Sequence, residues 1–75
     1  MTARELAERY DLPRSAWERL INEWIFDLRD RMMLCMRLLD GMTIDEISEK
    51  MNMSADTVKR RIRKAQTKVF AKAGA

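Results

Sequence analysis

Residues 54–70 read Ser-Ala-Asp-Thr-Val-Lys-Arg-Arg-Ile-Arg-Lys-Ala-Gln-Thr-Lys-Val-Phe, and this stretch decides the fold. A serine able to cap a helix opens it. Val58, Ile62, Ala65 and Val69 then recur at spacings of 4, 3 and 4, which is one face of an α-helix. The remaining faces carry Lys59, Arg60, Arg61, Arg63, Lys64 and Lys68. A narrow apolar stripe under a broad basic face suits a helix that lies on a core and meets a polyanion.

Working backwards, Asn52-Met53 reads as a turn, and Thr43-Ile44-Asp45-Glu46 as a capping box that starts a short helix. Ile44, Ile47 and Met51 share one side of that helix. Gly41 fits the left-handed residue that commonly follows a helix. A short capped helix, a tight turn and a second helix with a wide polar face outline a helix-turn-helix. Upstream, Trp17, Leu20, Ile21, Trp24, Ile25 and Leu28 form a stripe at helical spacing, continued by Met32, Cys35, Met36 and Leu39. One helix over 13–40 would fit this pattern. Asp27 as a cap, with Asp30 three residues later, favours two, and Pro13 suits the first turn of the earlier one. Residues 3–10 complete the set with Leu6, Ala7 and Tyr10 on one side, ended by Asp11-Leu12-Pro13. The expectation is an all-α fold, a small bundle of four to five helices over about 3–10, 13–26, 28–40, 44–51 and 55–71, ending in a tri-helical helix-turn-helix.

Seventy-five residues make one small domain, expected as an N-terminal helical cover or dimerisation part over 1–27 and a helix-turn-helix unit over 28–72. The net charge of +3 conceals an uneven split. Residues 1–54 hold 8 basic and 11 acidic side chains, and residues 55–75 hold 7 basic and 1 acidic. A basic tail on an acidic body points to a polyanionic partner. Enzyme chemistry has little to stand on: there is no His, one Cys, no metal-ligand cluster and no Gly-rich phosphate loop, so neither a metal nor a cofactor is expected. Cys35 reads as a small buried hydrophobe. With no apolar leader and no apolar run approaching ~20 residues, the chain is expected in the cytoplasm with no membrane contact.

Taking Val58 as the inward direction and ~100° per residue, Asp56, Arg60, Arg63 and Thr67 point outward, with Thr57 and Lys64 to one side and Lys59 to the other. The first two turns of such a helix usually reach bases. The candidate base contacts are therefore Asp56, Lys59, Arg60, Arg63 and Lys64, with arginine favoured because its fork matches guanine. Asp56 has three readings: an acceptor for cytosine, an orienting partner for Arg60, or a charge favoured at the helix N-terminus. Thr43, Thr57, Arg61 and Lys68 are candidate phosphate contacts, which position without specifying.

Residues 31–70 resemble region four of bacterial sigma factors and, equally, the C-terminal DNA-binding domain of LuxR-type response regulators. The shared marks are Leu38-x-x-Gly41-Met42-Thr43, Glu46-Ile47 followed by a small residue, and Ser54-x-x-Thr57-Val58-Lys59. The resemblance implies a small helical bundle whose helix after the serine reads the major groove, with the reading positions falling on Asp56, Thr57, Lys59, Arg60 and Arg63. These 75 residues show no pattern of the region-two or receiver domains of those families, and none is expected. The chain is similar instead to small free-standing helix-turn-helix proteins of prophages and mobile elements in Gram-positive bacteria, partly through residues 20–26 and 29–31. Double-stranded DNA is the implied partner and transcriptional regulation the implied role. The alternative is a sigma-like adaptor or antagonist that binds RNA polymerase or another protein.

Two further patterns have competing readings. Residues 6–17 align with 47–58 at a constant offset of 41, as a degenerate second helix-turn-helix or as ordinary helix-loop-helix patterning; Arg14 and Arg19 are the residues that would touch phosphates in the first case. The Trp17/Trp24 stripe is either core over the C-terminal helices or a homodimer seam. Six Met at 32, 33, 36, 42, 51 and 53 exceed what one inward face needs, so Met33, Met42 or Met53 is expected at a partner surface, and Trp17, Trp24 and Met33 are the candidate residues of a dimer or partner seam.

Overall fold

The computed structural model describes residues 12–74. Four helices follow one another: α1 (Arg14–Trp24), α2 (Leu28–Leu38), α3 (Ile44–Met51) and α4 (Ala55–Ala73). No strand occurs among the described residues. The helix expected over 3–10, and most of the 6–17 pattern, lie outside them.

The break at Asp27 is real. Ile25 turns extended (φ −107°, ψ 109°), and Asp27 caps α2 by accepting the Asp30 backbone N–H at 3.1 Å. Arg31 locks the corner by donating to the carbonyls of Ile25 and Asn22. The corner also explains why α1 stops at Trp24 rather than 26: the extended Ile25 swings its own side chain into the core, where it is 5% exposed. At the other end Pro13 is itself the extended N-cap, so α1 starts one residue later than expected. α2 stops at Leu38 rather than 40, followed by Gly41 at φ 70°, a conformation that costs an L-residue energy because of its Cβ. The Met42 N–H then bonds the Met36 carbonyl at 3.0 Å, while Arg37 donates to the Met42 carbonyl at 2.8 Å.

One core joins all four helices. Ile21, Met33, Leu34, Ile47, Val58 and Val69 are its fully buried side chains. α4 touches α1, α2 and α3, so it forms the axis on which the others are assembled. The Val58, Ile62, Ala65 and Val69 stripe is buried along its whole length. Trp17 is core, 2% exposed, with its ring edge-on to Phe70 at 5.4 Å between centroids. Burial of two aromatic rings at that contact ties α1 to the far end of α4.

These positions correct the expected partner surface. Trp17 and Met33 are buried because α1 and α2 turn those faces toward α4, and neither is available to a second molecule. Trp24 is half-buried, and the Lys72 ammonium sits 4.2 Å from its ring centroid. Among the described residues, the large apolar side chains that are exposed are Phe26, Leu28 and Met32.

Candidate nucleic-acid interface

α3 is held at its start by a reciprocal capping box. Thr43 Oγ1 accepts the Glu46 N–H at 3.1 Å, and Glu46 Oε1 accepts the Thr43 N–H at 3.0 Å. The backbone N–H of Thr43 holds the Glu46 carboxyl below its ordinary pKa, because hydrogen bonding favours the charged form. α3 ends at Asn52, whose backbone is left-handed (φ 55°, ψ 47°). Asparagine tolerates that region better than most residues. The Met53 N–H reaches back to the Ser48 carbonyl at 3.1 Å, and the chain reverses within two residues.

Ser54 starts α4. Its Oγ accepts the Thr57 N–H at 3.2 Å and donates to Thr57 Oγ1 at 2.7 Å. The nineteen residues of α4 extend about 28 Å at 1.5 Å per residue. It runs to Ala73, two residues past the expected end, as Lys72 packs on Trp24 and the Gly74 N–H bonds the Phe70 carbonyl at 3.0 Å.

Opposite the buried stripe, Asp56, Lys59, Arg60, Arg63 and Lys64 are all exposed. None makes a side-chain hydrogen bond or ion pair among the described residues. The five base-contact candidates thus lie together on the N-terminal half of α4. Thr43 is exposed and Thr57 half-buried, each with its hydroxyl oxygen committed to a cap as an acceptor. Lys68 is exposed, with its ammonium 5.2 Å from the Phe26 ring centroid.

Arg61 is the exception. Its Nε donates to Asp30 Oδ1 at 2.7 Å and its Nη2 to Asp27 Oδ1 at 3.2 Å. Its side chain is 27% exposed. On the helical wheel it borders the buried stripe, and the fork turns toward α2 instead of solvent. Arg61, expected at a phosphate, thus clamps α4 to the α1–α2 corner. Asp27 serves that corner twice, as the cap of α2 and as an acceptor for Arg61. Its carboxyl is held below its ordinary pKa, chiefly by the Asp30 N–H, with Arg61 adding a smaller coulombic pull.

The profile of the family described as Sigma-70, region 4, matches residues 27–69, more than half of the chain. The chain belongs to this family. Of the two resemblances read from the sequence, region 4 is the one the match carries. No curated protein and no solved structure matches the chain.

The matched region 4 unit opens at Asp27, the cap of α2, and closes at Val69, the last buried valine of α4. It contains the three helices of the helix-turn-helix, and α1 precedes it. The family is a helix-turn-helix DNA-binding domain with a regulatory rather than catalytic role. No helix of the described residues is long and apolar enough to cross a membrane. An open cleft of about 330 Å³ runs beside the Arg61 clamp, lined in part by Trp24, Phe26, Lys64 and Lys68. No group of three or more His, Cys, Asp or Glu able to hold a metal occurs among the described residues.

Sequence reasoning named the exposed column but missed the clamp. Asp30 and Arg61 lie 31 positions apart, and no local pattern joins them. Arg14 is similarly occupied: it donates to Asp40 Oδ1 at 2.9 Å, Glu18 Oε1 at 3.1 Å and the Leu39 carbonyl at 3.4 Å. Those bonds fasten α1 to the end of α2.

Proposed function

We propose that this chain is a sequence-specific double-stranded DNA-binding regulator of transcription, working in the cytoplasm, with the N-terminal half of α4 in the major groove. The observation that carries the reading is the division of labour along α4. Arg61 is spent on folding, whereas Lys59, Arg60, Arg63 and Lys64 remain exposed and uncommitted beside it. A B-DNA major groove about 12 Å wide admits one α-helix. Arg60 and Arg63 then reach guanine edges with their forks, while Lys59 and Lys64 flank them. Asp56, in the first turn, accepts from cytosine or aligns Arg60. Thr43 and Thr57 meet phosphates from the two capped helix starts, and Lys68 meets one further along the groove.

In-vitro selection of duplexes from a random pool tests this reading. The expected result is a short enriched motif whose binding falls on Arg60→Ala or Arg63→Ala. A pool that never converges, or binding indifferent to both substitutions, would contradict it. Capture of a polymerase subunit or another protein that survives those substitutions would favour the adaptor role instead.

A further inference from the structure

The open cleft beside the Arg61 clamp lies between the α1–α2 corner and α4. Its volume of about 330 Å³ falls at the lower end of small-molecule sites, which run from roughly 300 to 1,000 Å³. The corner explains its walls. Successive side chains of an extended backbone point opposite ways. Ile25 therefore turns into the core while Phe26 stands out, 75% exposed. Phe26 and the half-buried Trp24 line the cleft from the corner, and Lys64 and Lys68, one helical turn apart, line it from α4. The buried Ile25 and Ala65 complete the apolar part of the lining.

The charge of this cleft is unbalanced. Its two carboxylates, Asp27 and Asp30, are both engaged by Arg61. Lys64 and Lys68 are exposed and make no ion pair among the described residues. The Lys68 ammonium sits 5.2 Å from the Phe26 ring centroid. A ring beside a cation leaves its charge uncompensated, so an anion drawn to Lys68 meets an exposed aromatic surface at the same place.

We infer that the cleft is a binding site for a small aromatic anion, and that its occupant competes with DNA. A phosphodiester alone satisfies the two ammonium groups but leaves the apolar lining uncovered. A neutral apolar molecule covers the lining and leaves the charge. A flat ring bearing a carboxylate does both: the ring packs against Phe26 and Trp24, and the carboxylate meets Lys64 and Lys68. Because the cleft is open, part of the ligand stays in solvent and the affinity is modest. The competition rests on the reading of Lys64 and Lys68 as DNA contacts; the binding does not.

Amide chemical-shift titration of the full isotope-labelled chain without DNA tests the site, with three probes: naphthoate, naphthylmethylammonium and acetate. Naphthoate should shift the amides of Phe26 and Lys68 saturably, with a Kd on the order of 1 mM or below. The ammonium compound has the same ring and the opposite charge, and acetate has the charge without the ring; neither should saturate in that range. Phe26→Ala and Lys68→Ala should each weaken naphthoate about fivefold or more, and both side chains are exposed, so the fold is kept. Saturating naphthoate should also lower the affinity of wild type for a selected duplex about fivefold or more, and that of Phe26→Ala far less.

Shifts that never saturate, or equal binding of the three probes, would overturn the site. Duplex affinity unchanged by bound naphthoate would overturn the competition. If the chain selects no duplex, the DNA reading fails, while the titration still decides the site.

Discussion

Arg61 and Asp30 meet at 2.7 Å between Nε and Oδ1, each with about a quarter of its side chain exposed. This one contact joins the helix that carries the exposed basic column to the corner that starts α2. It makes Arg61 a positioning residue, and it distinguishes Arg61 from the cations on either side of it.

That distinction is measurable. A double-mutant cycle of Arg61→Ala and Asp30→Ala, read by chemical denaturation, should give a coupling of about 1 kcal/mol. Arg61→Ala should leave the salt dependence of DNA binding at its wild-type slope. A slope reduced by about 0.9 would mean that Arg61 neutralises a phosphate after all.

The buried stripe of α4 should respond in the opposite way. Ile62→Ala in this stripe, and Ile47→Ala facing it from α3, remove buried side chains and should each cost about 2–5 kcal/mol of stability. Sequence preference, measured on the fraction that remains folded, should stay unchanged. A loss of preference without a loss of stability would place Ile62 in the reading face.

The turn at Asn52 makes a sharper backbone prediction. At φ 55° a β-branched residue suffers a clash that asparagine largely avoids. Asn52→Val should therefore destabilise the protein, by about 1–2 kcal/mol or more, while Asn52→Gly should be close to neutral. Equal effects of the two in thermal melts would argue against the left-handed turn.

Stability should depend on pH in one direction. The Asp27 and Glu46 carboxyls are both held below their ordinary pKa by backbone N–H groups at helix starts. Groups depressed on folding stabilise above the ordinary carboxylate range and lose that contribution as pH falls through it. The Tm should thus be flat from pH 6 to 8, as there is no His, and should decline below about pH 4. Asp27→Asn and Glu46→Gln should each reduce that decline. A transition near pH 6.5 would need a titrating group that the described residues do not contain.

Local signals in the chain carried most of the architecture. Thr43 to Glu46, Ser54 to Thr57 and Asp27 to Asp30 are contacts over three residues, and each marks a helix start where the structure has one. The α4 stripe was legible for the same reason, since its periodicity lies within a single helix. What the sequence left unresolved depends on how helices turn relative to one another. The apolar positions of α2 cover nearly all its faces, so periodicity could not decide that Met33 faces in and Met32 out. Trp17 against Phe70 and Arg61 against Asp30 are long-range pairs with no periodic trace. The exposed column of Arg60 and Arg63 was legible because an outward face needs only its own helix to define it.

The central claim is that Arg60 and Arg63 read DNA from the exposed face of α4. Its most direct test is the affinity of wild type, Arg60→Ala and Arg63→Ala for a selected duplex and for a scrambled one, each across a salt series. Each substitution should reduce affinity for the selected duplex by about 1–3 kcal/mol, with a much smaller effect on the scrambled duplex. Equal losses on both duplexes would contradict the claim and reduce the two arginines to phosphate contacts; no loss on either would remove α4 from the interface.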